Sequence, residues 1–417
     1  MADADDRRTP LPVIVTVSAV HPSYSETFVS NEILALRERG ARVLSYSLRR
    51  PPRDLVRAAE HIAPPAGFLR LLPWAVLAAV ARPRRLRVPR LRRRRGLRAA
   101  LSRWAVDAHG LRLARALRRL GEEHVLHAHF LAHTAEVAVR AAAPTTPVVV
   151  TVHAGDADLR RSEDHRAFLG RVTAFRFASE AVRRTLRADH PEAGGEVIPC
   201  LVHLPPRRTR LQPLPDRLRV VTVARLIESK GYEEMMSAIE MASRRGQVTW
   251  TIVGEGPVRD RIERWQRDAG GRNVTTILRG ALPHADALSA LDDADAFLLL
   301  PRMYGERGTV RDGDGIPVAL MEAMARGVPV VTTAAGGIPE LVEDALTGVV
   351  LDGDDAARLA DALWEAGRTP LSQAIVERAE RRVRTDYSPA TVASRLAGLL
   401  GGSLRRGEQS SSGCGAH

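Results

Sequence analysis

The stretch VARLIESKG, residues 223–231, holds Lys230, and no other lysine occurs among the 417 residues. Lysine and arginine together number 62, so the other 61 cationic side chains are arginine. Arg225 sits five residues before Lys230, at the end of the strand-like run RVVTVAR and ahead of the helical run EEMMSAIEMA. A forked guanidinium and a compact, mobile ammonium at a strand's carboxyl end suit an oxygen-rich dianion such as a diphosphate. The following helix N-terminus adds partial positive charge. A loop lysine is ordinarily a solvated surface charge; the uniqueness of Lys230 and its strand-end arginine argue against that here.

A second constellation lies in RDGDGIPVALMEAMARGVPVVTTAAGGIPE, residues 311–340. Asp314 stands in a glycine-flanked loop, and Glu322 follows eight residues later on the helical run PVALMEAMARG. Gly313 and Gly315 allow backbone to approach a ligand, and carboxylates accept hydrogen bonds from sugar or ribose hydroxyls. Alone, each acid reads as a turn or an exposed helix face; alongside Arg225 and Lys230 they read as parts of one site. Gly254 and Gly256 in IVGEGP end a further strand and are expected to shape the same pocket. The two DGD triplets, 312–314 and 352–354, could hold a divalent cation, but two cations on the diphosphate lessen that need. No metal and no cofactor are expected.

These residues need strands to carry them. PVIVTVS (12–18), RVLSYSL (42–48), VLHAH (125–129), VVVTVH (148–153) and FRFAS (175–179) read as buried strands, and ETFVSNEILALRERG as a helix stopped by Gly40. After the proline-rich and arginine-rich passage 204–216 the rhythm restarts with RVVTVAR, TWTIVGEG, ILRG, AFLLLP, PVVTT and GVVL. The expected fold class is α/β, two Rossmann-like domains facing across a cleft, with ligands beyond the strands' carboxyl ends. The expected boundaries are 10–205, 217–385, a helix over 386–400 packing back toward the first domain, and a disordered tail over 401–417.

The formal net charge of +13 is mostly local: residues 82–98 hold ten arginines and no acid, leaving 13 − 10 = +3 for the rest. That block adjoins the apolar run LLPWAVLAAVA and the basic amphipathic segment LSRWAVDAHGLRLARALRRL. It reads as a solvated face or a contact with an anionic membrane surface. Aromatic residues are only 4% of the chain and do not interleave with the arginines, so no nucleic-acid partner is expected. The apolar run is too short to span a bilayer, and two cysteines supply no disulfide framework. The expected location is cytoplasmic, peripheral at the inner face of the plasma membrane.

RLxxxKG, the strand ending in GEGP, and GIPVALMEAMARGVPVV followed by GGIPE together resemble the retaining GT-B-fold glycosyltransferases of family four. SETF after the first strand is similar to colanic-acid and exopolysaccharide members. The resemblance implies that Arg225 and Lys230 bind the donor diphosphate and that Glu322 takes the nucleotide ribose. Gly315 and Ile316 would join the donor site. Asp314 stands at the family's first glutamate, one methylene shorter, and would contact donor-sugar hydroxyls. His153 matches a histidine beside the donor sugar, while Ser25, Glu26, Thr27 and His129 would face the cleft on the acceptor side. It further implies a hexosyl-type transferase using a nucleotide-diphosphate sugar and a saccharide or lipid-linked acceptor, with retention of configuration. The competing readings are an inactive nucleotide-sugar-binding protein and a hydrolysing epimerase.

Overall fold

The computed structural model describes residues 11–23, 26–52, 59–65, 71–74, 76–77, 97–154, 163–205, 214–268, 273–302, 315–366 and 368–412. Its contacts divide the chain into two compact units: 1–177 with 186–198 and 393–417, and 178–185 with 199–392. The arginine block lies outside the described residues except at its end, Leu97 and Arg98.

In the first unit, seven parallel strands form one sheet: β1 (Val13–Ser18), β2 (Val43–Ser47), β3 (Glu60–His61), β4 (His124–His129), β5 (Val148–Val152), β6 (Ala174–Phe177) and β7 (Gly195–Val197), in the order β3-β2-β1-β4-β5-β6-β7. Every residue of β1, β2 and β5 is buried. That is why these strands read as continuous apolar or β-branched runs rather than alternating ones. Helices α1 (Thr27–Glu38), α2 (Leu97–Leu120), α3 (His133–Ala141) and α4 (Glu163–Leu169) accompany them, and α5 (Glu180–Asp189) begins in the 178–185 segment of the second unit and ends in the first. β3 and β7, which sequence periodicity did not mark, are edge strands of two and three residues, too short to carry a period.

The second unit holds six parallel strands: β8 (Arg217–Val223), β9 (Gln247–Val253), β10 (Val274–Gly280), β11 (Ala296–Leu299), β12 (Val330–Thr332) and β13 (Val349–Val350), ordered β10-β9-β8-β11-β12-β13. With them come α6 (Tyr232–Ala242), α7 (Arg259–Asp268), α8 (His284–Asp292), α9 (Val318–Ala325), α10 (Ala356–Glu365) and α11 (Pro370–Asp386). Alternation in the strands divides the core. Val220, Trp250, Leu298 and Val331 pack on one face with Met235, Ile239 and Leu363, whereas Val221, Phe297, Leu299 and Val330 pack on the other with Leu320, Met324 and Val383. Helices therefore cover both faces, as a parallel sheet requires. The last helix, α12, runs from Pro389 to Ser412, so the boundary expected at 400 is corrected: the helix continues twelve residues into the segment read as a disordered tail. Leu396, Leu399, Leu400 and Ser403 are buried, so helical spacing outlasts the onset of glycine and serine.

In each sheet the strand order reverses once, between β1 and β4 and between β8 and β11. At such a reversal the connections leave in opposite directions and open a crevice at the strands' carboxyl ends. In the second unit the reversal is held by side chains. Trp250 Nε1 donates to Thr222 Oγ1 at 3.0 Å, and that hydroxyl donates to the Leu298 carbonyl at 2.7 Å, tying β9, β8 and β11 together. Trp250 is fully buried. Trp250→Ala is expected to lower stability by about 3–5 kcal/mol, the usual cost of removing a buried large aromatic. The check is a shift to lower urea of the far-ultraviolet circular dichroism transition, relative to the unsubstituted chain.

Candidate active site

Directly after β8 the chain leaves the sheet through Ala224 and Arg225, makes a short 3-10 turn over Glu228–Lys230, and enters α6 through Gly231. Arg225 is exposed, whereas Lys230 is only 5% exposed. Two neighbours fix this turn. Gly231 adopts φ 75°, and a Cβ there would lie 1.9 Å from the Leu300 carbonyl oxygen, so glycine is required both for the left-handed backbone and for the close approach of β11's exit. On the same side the Arg302 amide donates to the Ser229 carbonyl at 2.9 Å.

The loop after β9 meets the loop after β8 from the other flank. The Leu226 amide donates to Glu255 O at 2.9 Å, and the Val258 amide donates to Leu226 O at 3.0 Å. Gly254 and Gly256 adopt φ 146° and 156°, and side chains there would strike the carbonyl oxygens of Ala224 and Leu226 at 1.9 and 2.3 Å. These glycines let two strand exits touch. Arg225 projects from between the laced backbones.

Beyond β11, residues 303–314 lie outside the described residues, and Asp314 with them, as does the first DGD triplet. The chain returns at Gly315, whose carbonyl accepts from the Gly337 amide. A Cβ on Gly337 would meet that carbonyl oxygen at 2.5 Å, so Gly315 and Gly337 form another backbone-to-backbone contact. Ile316 corrects an expectation: it is 8% exposed and packs in the core with Leu320 and Ile338. Glu322, on α9, is 5% exposed, and its Oε1 lies 2.6 Å from His284 Nε2.

His284 opens α8, soon after the end of β10, and sequence reasoning passed over it. Its signal was present, a histidine at a strand-to-helix transition, but the acid it meets is 38 residues away. Glu340 was quoted within GGIPE without a role. Its two carboxylate oxygens accept from the amides of Glu180 and Ala181, both at 2.8 Å, satisfying two of the unpaired N–H groups at the start of α5. Asp354, in the second DGD, is exposed in a turn, and Asp355 caps α10.

In the first unit Glu26 occupies the N-cap position of α1 and Thr27 begins the helix, while Ser25 lies outside the described residues. His153 follows β5 and is partly buried among Phe28 and Phe130, with ring centroids 4.8 and 4.4 Å away. Burial, then the Arg176 guanidinium, pushes its pKa down to about 3, so the ring is neutral at physiological pH. His129 is a second correction: it does not line an open rim but is 1% exposed, turned against Glu32 with its Nε2 3.4 Å from Oε1. The last residue of a buried strand and the first of its exit are indistinguishable from sequence, and His129 falls on the strand side.

Residues 208–382 match the family described as Glycosyl transferases group 1. The chain is 37% identical over 190 residues to WcaL of Salmonella typhimurium, whose name assigns it to colanic acid biosynthesis as a glycosyltransferase, covering 44% of this chain and 45% of that one. It is 34% identical over 187 residues to the amylovoran biosynthesis glycosyltransferase AmsK of Erwinia amylovora, covering 44% of each. It is 32% identical over 246 residues to the GDP-mannose-dependent alpha-(1-6)-phosphatidylinositol monomannoside mannosyltransferase of Mycolicibacterium smegmatis, covering 56% and 61%. The chain thus spans roughly half the length of the curated relatives it matches. Among solved structures, sucrose-phosphate synthase from Thermosynechococcus elongatus aligns over 96% of this chain and all of its own, with TM-score 0.69 and 19% identity. HepE of Anabaena, in complex with UDP and glucose, aligns over 94% and 99% with TM-score 0.60 and 15% identity. Likeness at these identities establishes a shared fold, two Rossmann-like domains of the GT-B architecture. Residues 208–382 thus form a domain that matches the glycosyl transferases group 1 family.

Proposed function

We propose that the protein transfers a sugar from a nucleotide-diphosphate sugar to a hydroxyl of a saccharide or lipid-linked acceptor, with retention of configuration, in the synthesis of an exopolysaccharide or cell-surface glycan. One observation carries the reading: Arg225 and Lys230 both leave the carboxyl end of β8, at the strand-order reversal of the second unit, on a turn clamped between the exits of β9 and β11. Departure of a nucleoside diphosphate builds negative charge on its terminal phosphate. Cations already held in place favour that charge more in the transition state than in the ground state. Glu322, oriented by His284, is suited to accept hydrogen bonds from ribose hydroxyls, and Asp314 from those of the donor sugar. The relatives named for exopolysaccharide and phosphatidylinositol mannoside synthesis support the product class.

With Arg225 and Lys230 as the counter-charges, no divalent metal is needed at the diphosphate. The proposed acceptor side also involves a membrane surface. Leu72, Val76, Leu77 and Leu101 are exposed at 42–57%. They lie in sequence on either side of the ten-arginine block, the combination of apolar anchors and cations that binds anionic lipid. None of the described helices is long and apolar enough to cross a membrane.

Incubation with a panel of nucleotide sugars should give slow release of nucleoside diphosphate from one donor, and a chain that hydrolyses none is a binding protein only. Lys230→Ala is expected to cut that turnover by about a hundredfold or more, the usual cost of losing one preorganised group at a developing charge. Lys230→Arg should not restore it, since the ammonium is 5% exposed and a guanidinium is larger and planar. Equal rates in the arginine variant would remove the assigned role of Lys230. Glu322→Gln should raise KM for the donor by about tenfold, or about 1.4 kcal/mol, with a smaller effect on kcat. Deleting 82–98 should weaken sedimentation with phosphatidylserine-containing vesicles while leaving hydrolysis of the soluble donor unchanged.

A further inference from the structure

Glu32 on α1 and His127 and His129 on β4 are 1%, 0% and 1% exposed. The two histidines are two residues apart on a strand, so their side chains share a face, and Glu32 comes onto that face from the helix. Such burial of polar groups is costly unless each finds a partner. Here Glu32 Oε1, His127 Nδ1 and both ring nitrogens of His129 are buried with no hydrogen bond. Three of these atoms, Glu32 Oε1, His127 Nδ1 and His129 Nε2, converge at one point of the helix–sheet interface and call for a ligand.

Their spacing identifies its kind. Glu32 Oε1 lies 3.6 Å from His127 Nδ1 and 3.4 Å from His129 Nε2, and each residue offers a ligating atom within 4.8 Å of the others. A tetrahedral zinc ion with bonds of about 2.0–2.1 Å holds its ligand atoms about 3.3 Å apart. Both rings are poised as neutral donors. Burial, then the neighbouring imidazoles and Arg176, keeps their pKa values well below the ordinary histidine value. His127 Nε2 lies 2.7 Å from Thr151 Oγ1, so with Nε2–H donating to that hydroxyl the Nδ1 lone pair is directed toward Glu32. Remote hydrogen bonds of this type fix the tautomer of metal-ligating histidines. Arg176 holds the other carboxylate oxygen of Glu32 and donates through Nε to the Ile198 carbonyl at 2.8 Å.

We propose that Glu32, His127 and His129 bind one divalent cation of the imidazole-preferring class, zinc or a close analogue, through Oε1, Nδ1 and Nε2. Arg176 already balances the Glu32 charge, so binding strength comes from the two imidazoles. The site therefore selects a borderline transition metal over magnesium or calcium. The ion ties α1 to β4 within the first unit. The proposal does not depend on the donor reading, whose residues lie in the second unit.

The test uses the full chain, stripped with EDTA and freed of chelator, then titrated with Zn²⁺ alone by calorimetry and with Co²⁺ alone by visible absorption. The expected result is one equivalent of zinc, intense tetrahedral cobalt bands, a raised melting temperature with zinc, and no response to Mg²⁺. His127→Gln and His129→Gln should each weaken zinc binding by at least about a hundredfold and abolish the cobalt bands. If either variant fails to fold, the cobalt spectrum of the unsubstituted chain decides, and weak octahedral absorption overturns the site. Absence of zinc binding by the stripped chain, or unchanged affinity in both folded variants, overturns it equally and leaves two neutral imidazoles packed beside an Arg176–Glu32 ion pair.

Discussion

Backbone pressed against backbone at the carboxyl ends of β8, β9 and β11 is the constraint that sets the geometry of the second unit's candidate site. The α-carbons of Gly231, Gly254 and Gly256 face carbonyl oxygens so closely that no side chain fits. Because those contacts are main chain to main chain, the loops they join cannot drift independently. Arg225 and Lys230 thus start from a backbone fixed by the same contacts that join the strand exits. Preorganisation of this kind is what makes a fixed cation more valuable at a developing charge than a mobile one. The Trp250–Thr222–Leu298 chain beneath keeps the three strands themselves in register.

The two units handle charge in opposite ways. In the second, Arg225 is exposed, and the buried Glu322 meets the partly exposed ring of His284. In the first, Glu32 and Arg176 are both buried, and the histidines around them are held neutral. Buried ion pairs are weak sources of stability, because desolvation offsets their attraction.

Much of this was legible in the sequence for an identifiable reason. Strands buried on both faces read as apolar or β-branched runs, so β1, β2, β4, β5, β8, β9 and β11 were placed to within two or three residues. Helix α1 declared itself through its periodicity and Gly40. The strand-end positions of Arg225, Lys230, Gly254 and Gly256 were legible because each lies within a few residues of its own strand. What escaped depends on contacts distant along the chain. His284 meets an acid 38 residues later, Glu340 reaches amides 160 and 159 residues earlier, and Glu32 faces histidines some 95 residues away. Ile316 and His129 were misplaced because local pattern locates a residue near a loop but not the direction in which its side chain turns.

The single lysine follows from the same geometry. A chain that uses arginine at 61 other positions loses nothing by doing so where the side chain is solvated or forks around a carboxylate, as Arg219 does with Asp295. At 230 the residue starts from a tight 3-10 turn and is 5% exposed, with Gly231 against Leu300 and Ser229 bonded to Arg302, both on the exit of β11. A guanidinium is larger and planar, and adding bulk at a buried position is a change of shape that a packed interior tolerates poorly. An ammonium on a flexible stem needs only a narrow path and can direct three donors at an oxygen-rich ligand from its end. Composition pressed toward arginine everywhere, and the shape of this one turn was the stronger demand.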